Sequence, residues 1–245
     1  VAILIWGCVF CAIAALCIFL SSNYDREKRR YLILMESFAS LLLLMDAMAH
    51  IFSGYPGVPG SVMVCISSFL VFLLSDVFLL CFHIYVCVYL FSKKERRTLK
   101  RVKAGYVIAA AGAAFVVISQ FTHWYYYIDG DNCYHRAPLY IMSILLPAAG
   151  LLLDLTLLLQ YKKRVSRKLL FSMLSCVVLP AVAAAVQAFW YGMSLIEFSV
   201  GISMIIMFIV TMTEPNQEMY QLISREGKIK ERLEIATILN KCIAE

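Results

Sequence analysis

The chain has 245 residues, 62% of them hydrophobic and 16% charged, with a formal net charge of +6. So much apolar content excludes an ordinary soluble domain. The positive charge does not mark a nucleic-acid surface either, because every Lys and Arg except Arg136 falls in clusters that alternate with apolar runs.

Seven such runs can be read, at 1–20, 31–52, 62–91, 104–124, 139–161, 169–190 and 193–213. A membrane span needs about 20 mostly apolar residues, so each run predicts a transmembrane helix. The third is long enough to tilt or to project beyond the bilayer. The first starts at Val1 with no basic leader or small-residue cleavage site, which argues against a signal peptide and for a segment of a longer protein. Arg26, Lys28, Arg29 and Arg30 follow the first run, and Lys93, Lys94, Arg96, Arg97, Lys100, Arg101 and Lys103 the third. Lys162, Lys163, Arg164, Arg167 and Lys168 follow the fifth, and Arg225, Lys228, Lys230, Arg232 and Lys241 the seventh. Basic short loops are retained in the cytoplasm. The expected fold is an all-α bundle of seven transmembrane helices with the N-terminus outside and the C-terminus cytoplasmic. The lipid bilayer is then its first partner, with the basic inner face against anionic headgroups.

The loops expected outside differ in kind. Residues 53–61, SGYPGVPGS, carry turn-forming Gly and Pro. Residues 123–138 are aromatic and acidic, and only Tyr191 and Gly192 separate the last two spans. Trp124, Tyr125, Tyr126, Tyr127, Tyr140, Trp190 and Tyr191 fit an aromatic belt at the interface. The alternative is a ligand mouth, formed by Trp124 and the three tyrosines beside Asp129 and Asp131. Of nine cysteines only Cys133 falls outside, so no disulfide framework is implied. Cys8 and Cys11, inside an apolar helix, read as packing residues.

After residue 213 the chain turns abruptly polar, with Pro215 at the break. Leu222, Ile229, Ala236 and Ile243 then recur every seven residues. That spacing predicts a cytoplasmic amphipathic or coiled-coil helix over 214–245, weakened at Gly227, leading into a domain beyond Glu245.

Ionisable groups inside spans are costly and face the interior, so each is a site candidate. These are Glu36, Asp46 and His50 in the second span, Asp76 and His83 in the third, and Asp154 in the fifth; Gln187 in the sixth joins them as a polar candidate. Asp46 and His50 are four apart on one face, and Asp76 and His83 seven apart. Antiparallel helices group Asp46, His50 and Asp76 in the middle and outer half, and Glu36, His83 and Asp154 in the inner half. Three roles are open: structural ties between helices, a ligand or proton-sensing cavity, or a metal or catalytic centre. No HExxH or nucleophile motif supports the last, and no metal, cofactor or catalytic residue is assigned. Pro147 and Pro180, inside spans five and six, shape a cavity or act as hinges.

Known seven-span classes fit poorly. The seventh run has no lysine for a retinal Schiff base, the third ends VYLFSKKERR without an acidic–Arg–Tyr triplet, and NPxxY is missing. No repeat of halves suggests a transporter, although a small permease remains the alternative from another class. The architecture resembles the N-terminal seven-span sensor regions of bacterial signalling proteins, namely histidine kinases and GGDEF diguanylate cyclases. KIKERLEIATILNKCIAE, at 228–245, looks like the helix that opens a GAF domain in multidomain bacterial proteins, often ending in GGDEF or EAL domains. The resemblance implies a multi-pass sensor in a bacterial plasma membrane, working as a homodimer. An unidentified small molecule or peptide would be its stimulus. Any enzymatic activity, in cyclic di-GMP synthesis or histidine phosphorylation, would reside in output domains beyond this chain.

Overall fold

The computed structural model describes residues 1–21, 25–189 and 194–213. Eight helices and one hairpin follow in order: α1 (Ala2–Leu20), α2 (Arg26–Phe52), α3 (Val58–Leu90), α4 (Lys93–Thr98), α5 (Lys100–Thr122), β1 (Tyr126–Ile128), β2 (Tyr134–Arg136), α6 (Met142–Gln160), α7 (Arg167–Phe189) and α8 (Leu195–Thr213). All the helices except α4 are long and apolar enough to cross a membrane. The chain is therefore a membrane-embedded, all-α protein with seven spanning helices. The hairpin of the last two spans at Tyr191–Gly192, and the helix expected over 214–245, lie outside the described residues.

Helix ends depart from the apolar runs where polar capping extends the helix. The second helix starts at Arg26 rather than 31, because the Asp25 side chain accepts from the Glu27 N–H at 2.8 Å and caps the first turn. Pro59 sits in the first turn of α3, which begins at Val58 rather than 62. At the far end of α3 a capping box starts the separate helix α4. The Ser92 hydroxyl accepts from the Glu95 N–H, and the Glu95 carboxylate accepts from the Ser92 N–H.

Helix α3 is central: it packs along α2 and also touches α5 and α6, while α1 lies on α2. Lipid tails are as apolar as leucine, so close fit and interhelical hydrogen bonds must hold the helices together. Leu43 of α2 fits between two glycines; a Cβ at Gly7 of α1 or Gly201 of α8 would lie 3.1 or 3.2 Å from its Cδ1. The Ser40 hydroxyl donates to the Cys8 carbonyl of α1 at 3.0 Å, and Ser203 of α8 donates to the Ser175 carbonyl of α7 at 3.1 Å. Trp6, Phe10, Phe19, Phe121 and Phe171 face outward, as lipid contact requires.

The two ends of the bundle differ. At the basic end, Arg96 pairs with Glu27 at 2.8 Å, and Arg164 donates to the Leu90 carbonyl at 2.8 Å and to Glu95 at 3.2 Å. The Ser92 N–H and hydroxyl, with Arg164, hold the Glu95 carboxyl below its ordinary value. The opposite, hairpin end is irregular, and residues 126–136, expected as loop, form a two-stranded antiparallel hairpin pairing Tyr126 with Arg136. Asp129 holds its turn: it accepts from the backbone N–H groups of Cys133 at 2.8 Å and Asp131 at 3.0 Å, and from His135 Nε2 at 2.6 Å. These donors, the Cys133 N–H foremost, hold its carboxyl below the ordinary 3.8. Asn132 stands in the left-handed region at φ 59°, and its side-chain amide donates to the carbonyls of Tyr55 at 2.9 Å and Gly57 at 3.3 Å.

Candidate functional site

A cavity of about 790 Å³ occupies the half of the bundle nearer the hairpin. Helices α2, α3, α5, α6, α7 and α8 all contribute to its wall, and Tyr134 and Arg136 of β2 reach its rim. Both helix-interior prolines line it. Proline has no N–H for the carbonyl one turn back, so Pro147 and Pro180 free the carbonyls of Ser143 and Cys176 from the helical pattern.

The cavity is apolar over most of its area but carries three carboxyl groups: Asp46, Asp76 and Glu197. Asp46 and Asp76 are each only 7% exposed. Asp46 Oδ1 lies 3.7 Å from His50 Nε2, which is itself 2.7 Å from the Ser194 hydroxyl, and Asp46 Oδ2 has no hydrogen-bond partner. Glu197 Oε2 is likewise buried without a partner, and its carboxyl lies close enough to Asp46 to feel that charge. Asp76 makes no hydrogen bond or ion pair among the described residues. Arg136, the one guanidinium at the rim, lies 4.5 Å over the Tyr140 ring and contacts the Gln187 carbonyl at 3.5 Å.

Below Asp76 lies a smaller cavity of about 20 Å³, room for roughly one water. Its other polar lining residues are His83 and Asp154. The His83 Nε2–H donates to the Val102 carbonyl at 3.0 Å, because a carbonyl can only accept. Nδ1 then shares one proton with Asp154 Oδ1 at 2.6 Å, joining α3 to α6. Asp76 and His83 of α3 both sit over glycines of α5. A Cβ at Gly112 would fall 2.8 Å from Asp76 Oδ1, and one at Gly105 would fall inside contact distance of the His83 ring. The seven-residue spacing of Asp76 and His83 thus matches the seven-residue spacing of Gly112 and Gly105 on the antiparallel neighbour.

The structure brings Asp46, His50, Asp76 and Gln187 to one cavity and His83 and Asp154 to one pair. Glu36 stands apart. Fully buried in α2, it lies beside the thiols of Cys11 and Cys176. Of the loop aromatics, Tyr125, Tyr134 and Tyr140 line the large cavity. Tyr126 is buried, stacked on Phe72 at 5.4 Å and bonded to Gln120 at 2.8 Å, and its hydroxyl is pushed up to about 12 by that burial. Trp124 and Tyr127 are 38% and 45% exposed, as residues of an interfacial belt would be. Asp129 serves the hairpin turn and Asp131 is exposed; neither lines the cavity. Among the described residues no group of three His, Cys, Asp or Glu side chains is placed to hold a metal ion. Glu197 was not among the residues expected here. As the one carboxyl inside the seventh run it meets the test applied to Asp154, and that was the available signal. Gly105 and Gly112 gave none, because their use depends on how α5 is rotated against α3.

No family model matches the chain, and neither a curated protein nor a solved structure does. Fold and site together define a seven-helix membrane-embedded protein with an acidic cavity near one end.

Proposed function

We propose that the chain is the membrane-embedded sensory region of a bacterial signalling protein. Its hairpin end faces outward and its basic end the cytoplasm, in keeping with the charge asymmetry of the loops. One observation carries the reading. Helix α8, which leads directly into the polar segment 214–245, forms part of the cavity wall through Ser194, Ile196, Glu197 and Val200. An occupant therefore touches the helix that continues towards the cytoplasmic side. A ligand that binds one packing of α8 better than another shifts the balance between them. The segment 214–245 then passes the change to an output domain of the diguanylate cyclase or histidine kinase type, across a homodimer.

Helix phase in the linker tests this. One residue inserted after Thr213 rotates the downstream chain by about 100°, and seven restore the original face. In the full-length protein, stimulus-dependent cyclic di-GMP synthesis or autophosphorylation should be lost with one inserted residue and return with seven. Normal regulated output with one, two and three inserted residues would refute the sensory reading.

A second reading rests on the small cavity between Asp76 and the His83–Asp154 pair, which places titratable groups in series along the bundle. A proton-coupled permease would use such a series. Proton flux in proteoliposomes that Asp154→Asn abolishes would favour it.

A further inference from the structure

We infer that the large cavity binds a cation carrying an apolar body, with an ammonium or guanidinium group seated among Asp46, Asp76 and Glu197. The inference deepens the sensory reading but rests on the cavity alone.

Burial is the first ground. A carboxyl group withdrawn from water is costly unless it is neutralised or paired. Asp46 and Asp76 are each more than nine-tenths buried, and both face the cavity. Asp76 has no partner among the described residues, and one oxygen each of Asp46 and Glu197 has none. Among the described residues the lining side chains able to carry positive charge are His50, 3.7 Å from Asp46, and Arg136, which already rests on Tyr140 and the Gln187 carbonyl at the rim; neither is paired with Asp76 or Glu197. Three carboxyl groups are thus directed at a space large enough for a drug-sized molecule.

The rest of the lining fixes the second half of the ligand. Phe72 and Tyr125 stand on the same wall as Asp76, and aromatic faces attract ammonium groups. Elsewhere in the lining, Leu151, Leu155, Val177 and Ala184 of α6 and α7 offer only hydrocarbon. A small hydrated inorganic cation would leave that surface unused. A neutral apolar molecule would leave the carboxyl groups unanswered, and an anion would be repelled. Gly112 supports the assignment, because a side chain there would displace the Asp76 carboxylate from its present position.

Calorimetry on the protein in phosphatidylglycerol nanodiscs tests this. The probes are 4-phenylbutylamine, its tertiary and quaternary ammonium analogues, 4-phenylbutanol and 4-phenylbutyrate. At least one ammonium probe should bind about tenfold or more tighter than the alcohol, the worth of a charge-assisted hydrogen bond. Asp76→Asn should lower the ratio of ammonium to alcohol affinity at least severalfold, the remainder being held by Asp46 and Glu197. If the variant does not fold, the ratio among probes on the unaltered protein decides. Equal affinity for ammonium and alcohol, tighter binding of the carboxylate, or no ammonium binding at millimolar concentration would each overturn the inference. An ammonium group on an apolar body also describes an ethanolamine lipid. Repeating the titration with phosphatidylethanolamine in the disc separates the sources: competition assigns the site to the headgroup, and unchanged affinity to a free amine. Because binding is read on this chain and helix phase on the output, either proposal can fail without the other.

Discussion

Two Gly→Ala substitutions on one helix should differ sharply in cost, although both put a methyl group where a polar side chain lies. At Gly112 the new Cβ would come 2.8 Å from Asp76 Oδ1 and 2.9 Å from its Cγ and Oδ2. No described residue holds Asp76 by a hydrogen bond, and it has open cavity beside it, so rotation about its side-chain torsions relieves the clash. The cost, about 1 kcal/mol for an off-minimum rotamer, is offset by the roughly 1 kcal/mol that Ala gains over Gly inside a helix. At Gly105 the methyl group meets the His83 ring, held on one nitrogen by Asp154 at 2.6 Å and on the other by the Val102 carbonyl at 3.0 Å. That ring cannot move without breaking the buried pair, a loss of about 3–5 kcal/mol. Less the roughly 1 kcal/mol that Ala again gains over Gly, and scaled as for soluble chains of this size, that is a fall of roughly 4–16 °C in Tm. Thermal unfolding in nanodiscs should therefore show Gly112→Ala near the unaltered protein and Gly105→Ala far below it. In a His83→Ala background the obstructing ring is gone, so Gly105→Ala should add little further loss. Equal shifts for the two single variants, or full additivity with His83→Ala, would refute the reasoning.

Two further outcomes are expected. With single cysteines in a background lacking Cys133, a membrane-impermeant thiol reagent should label position 131 on intact cells but not positions 30 or 100; external labelling at 30 or 100 would reverse the assigned orientation. The Asp129 carboxyl is held low by the Cys133 N–H and by His135. Its support of the hairpin is therefore full above the ordinary carboxyl value of 3.8 and is lost as pH falls through the lowered folded value. Protection of the Cys133 and Asp131 amides, taken relative to their intrinsic exchange rates, should be full at pH 5 and fall away only below the ordinary carboxyl value, and Asp129→Asn should remove that pH dependence.

The spans could be read from sequence because each is a long apolar run between charged clusters, a pattern that neighbouring segments cannot disguise. Their ends were less legible, since Asp25 and Pro59 start helices in segments that hydropathy alone assigns to loops. The hairpin at 126–136 escaped notice because three-residue strands leave no alternation to detect, and its stability comes from Asp129 and from stacking of Tyr126 on Tyr134 at 5.5 Å. Depth was readable: counting residues from the basic clusters places His83 and Asp154 at one level, and the structure joins them. Rotation was not. Whether Asp76 faces a glycine, a neighbouring acid or lipid depends on the angle of each helix about its own axis, which no single helix encodes.

Asn132 has a consequence for how anything enters the bundle. Its amide fastens the tip of the hairpin to the turn between α2 and α3, and the Gly54 N–H answers by donating to the Asn132 carbonyl at 3.1 Å. Ser53 on one side of this clasp, and Tyr134 and Arg136 on the other, stand at the cavity rim. The two doorposts are thus tied to each other rather than free to part. A rim fastened on one side can widen only on the other, where α6, α7 and α8 bound the cavity. Substituting Asn132, far from every cavity carboxylate in sequence, would untie the hairpin from that turn and leave the carboxylates in place.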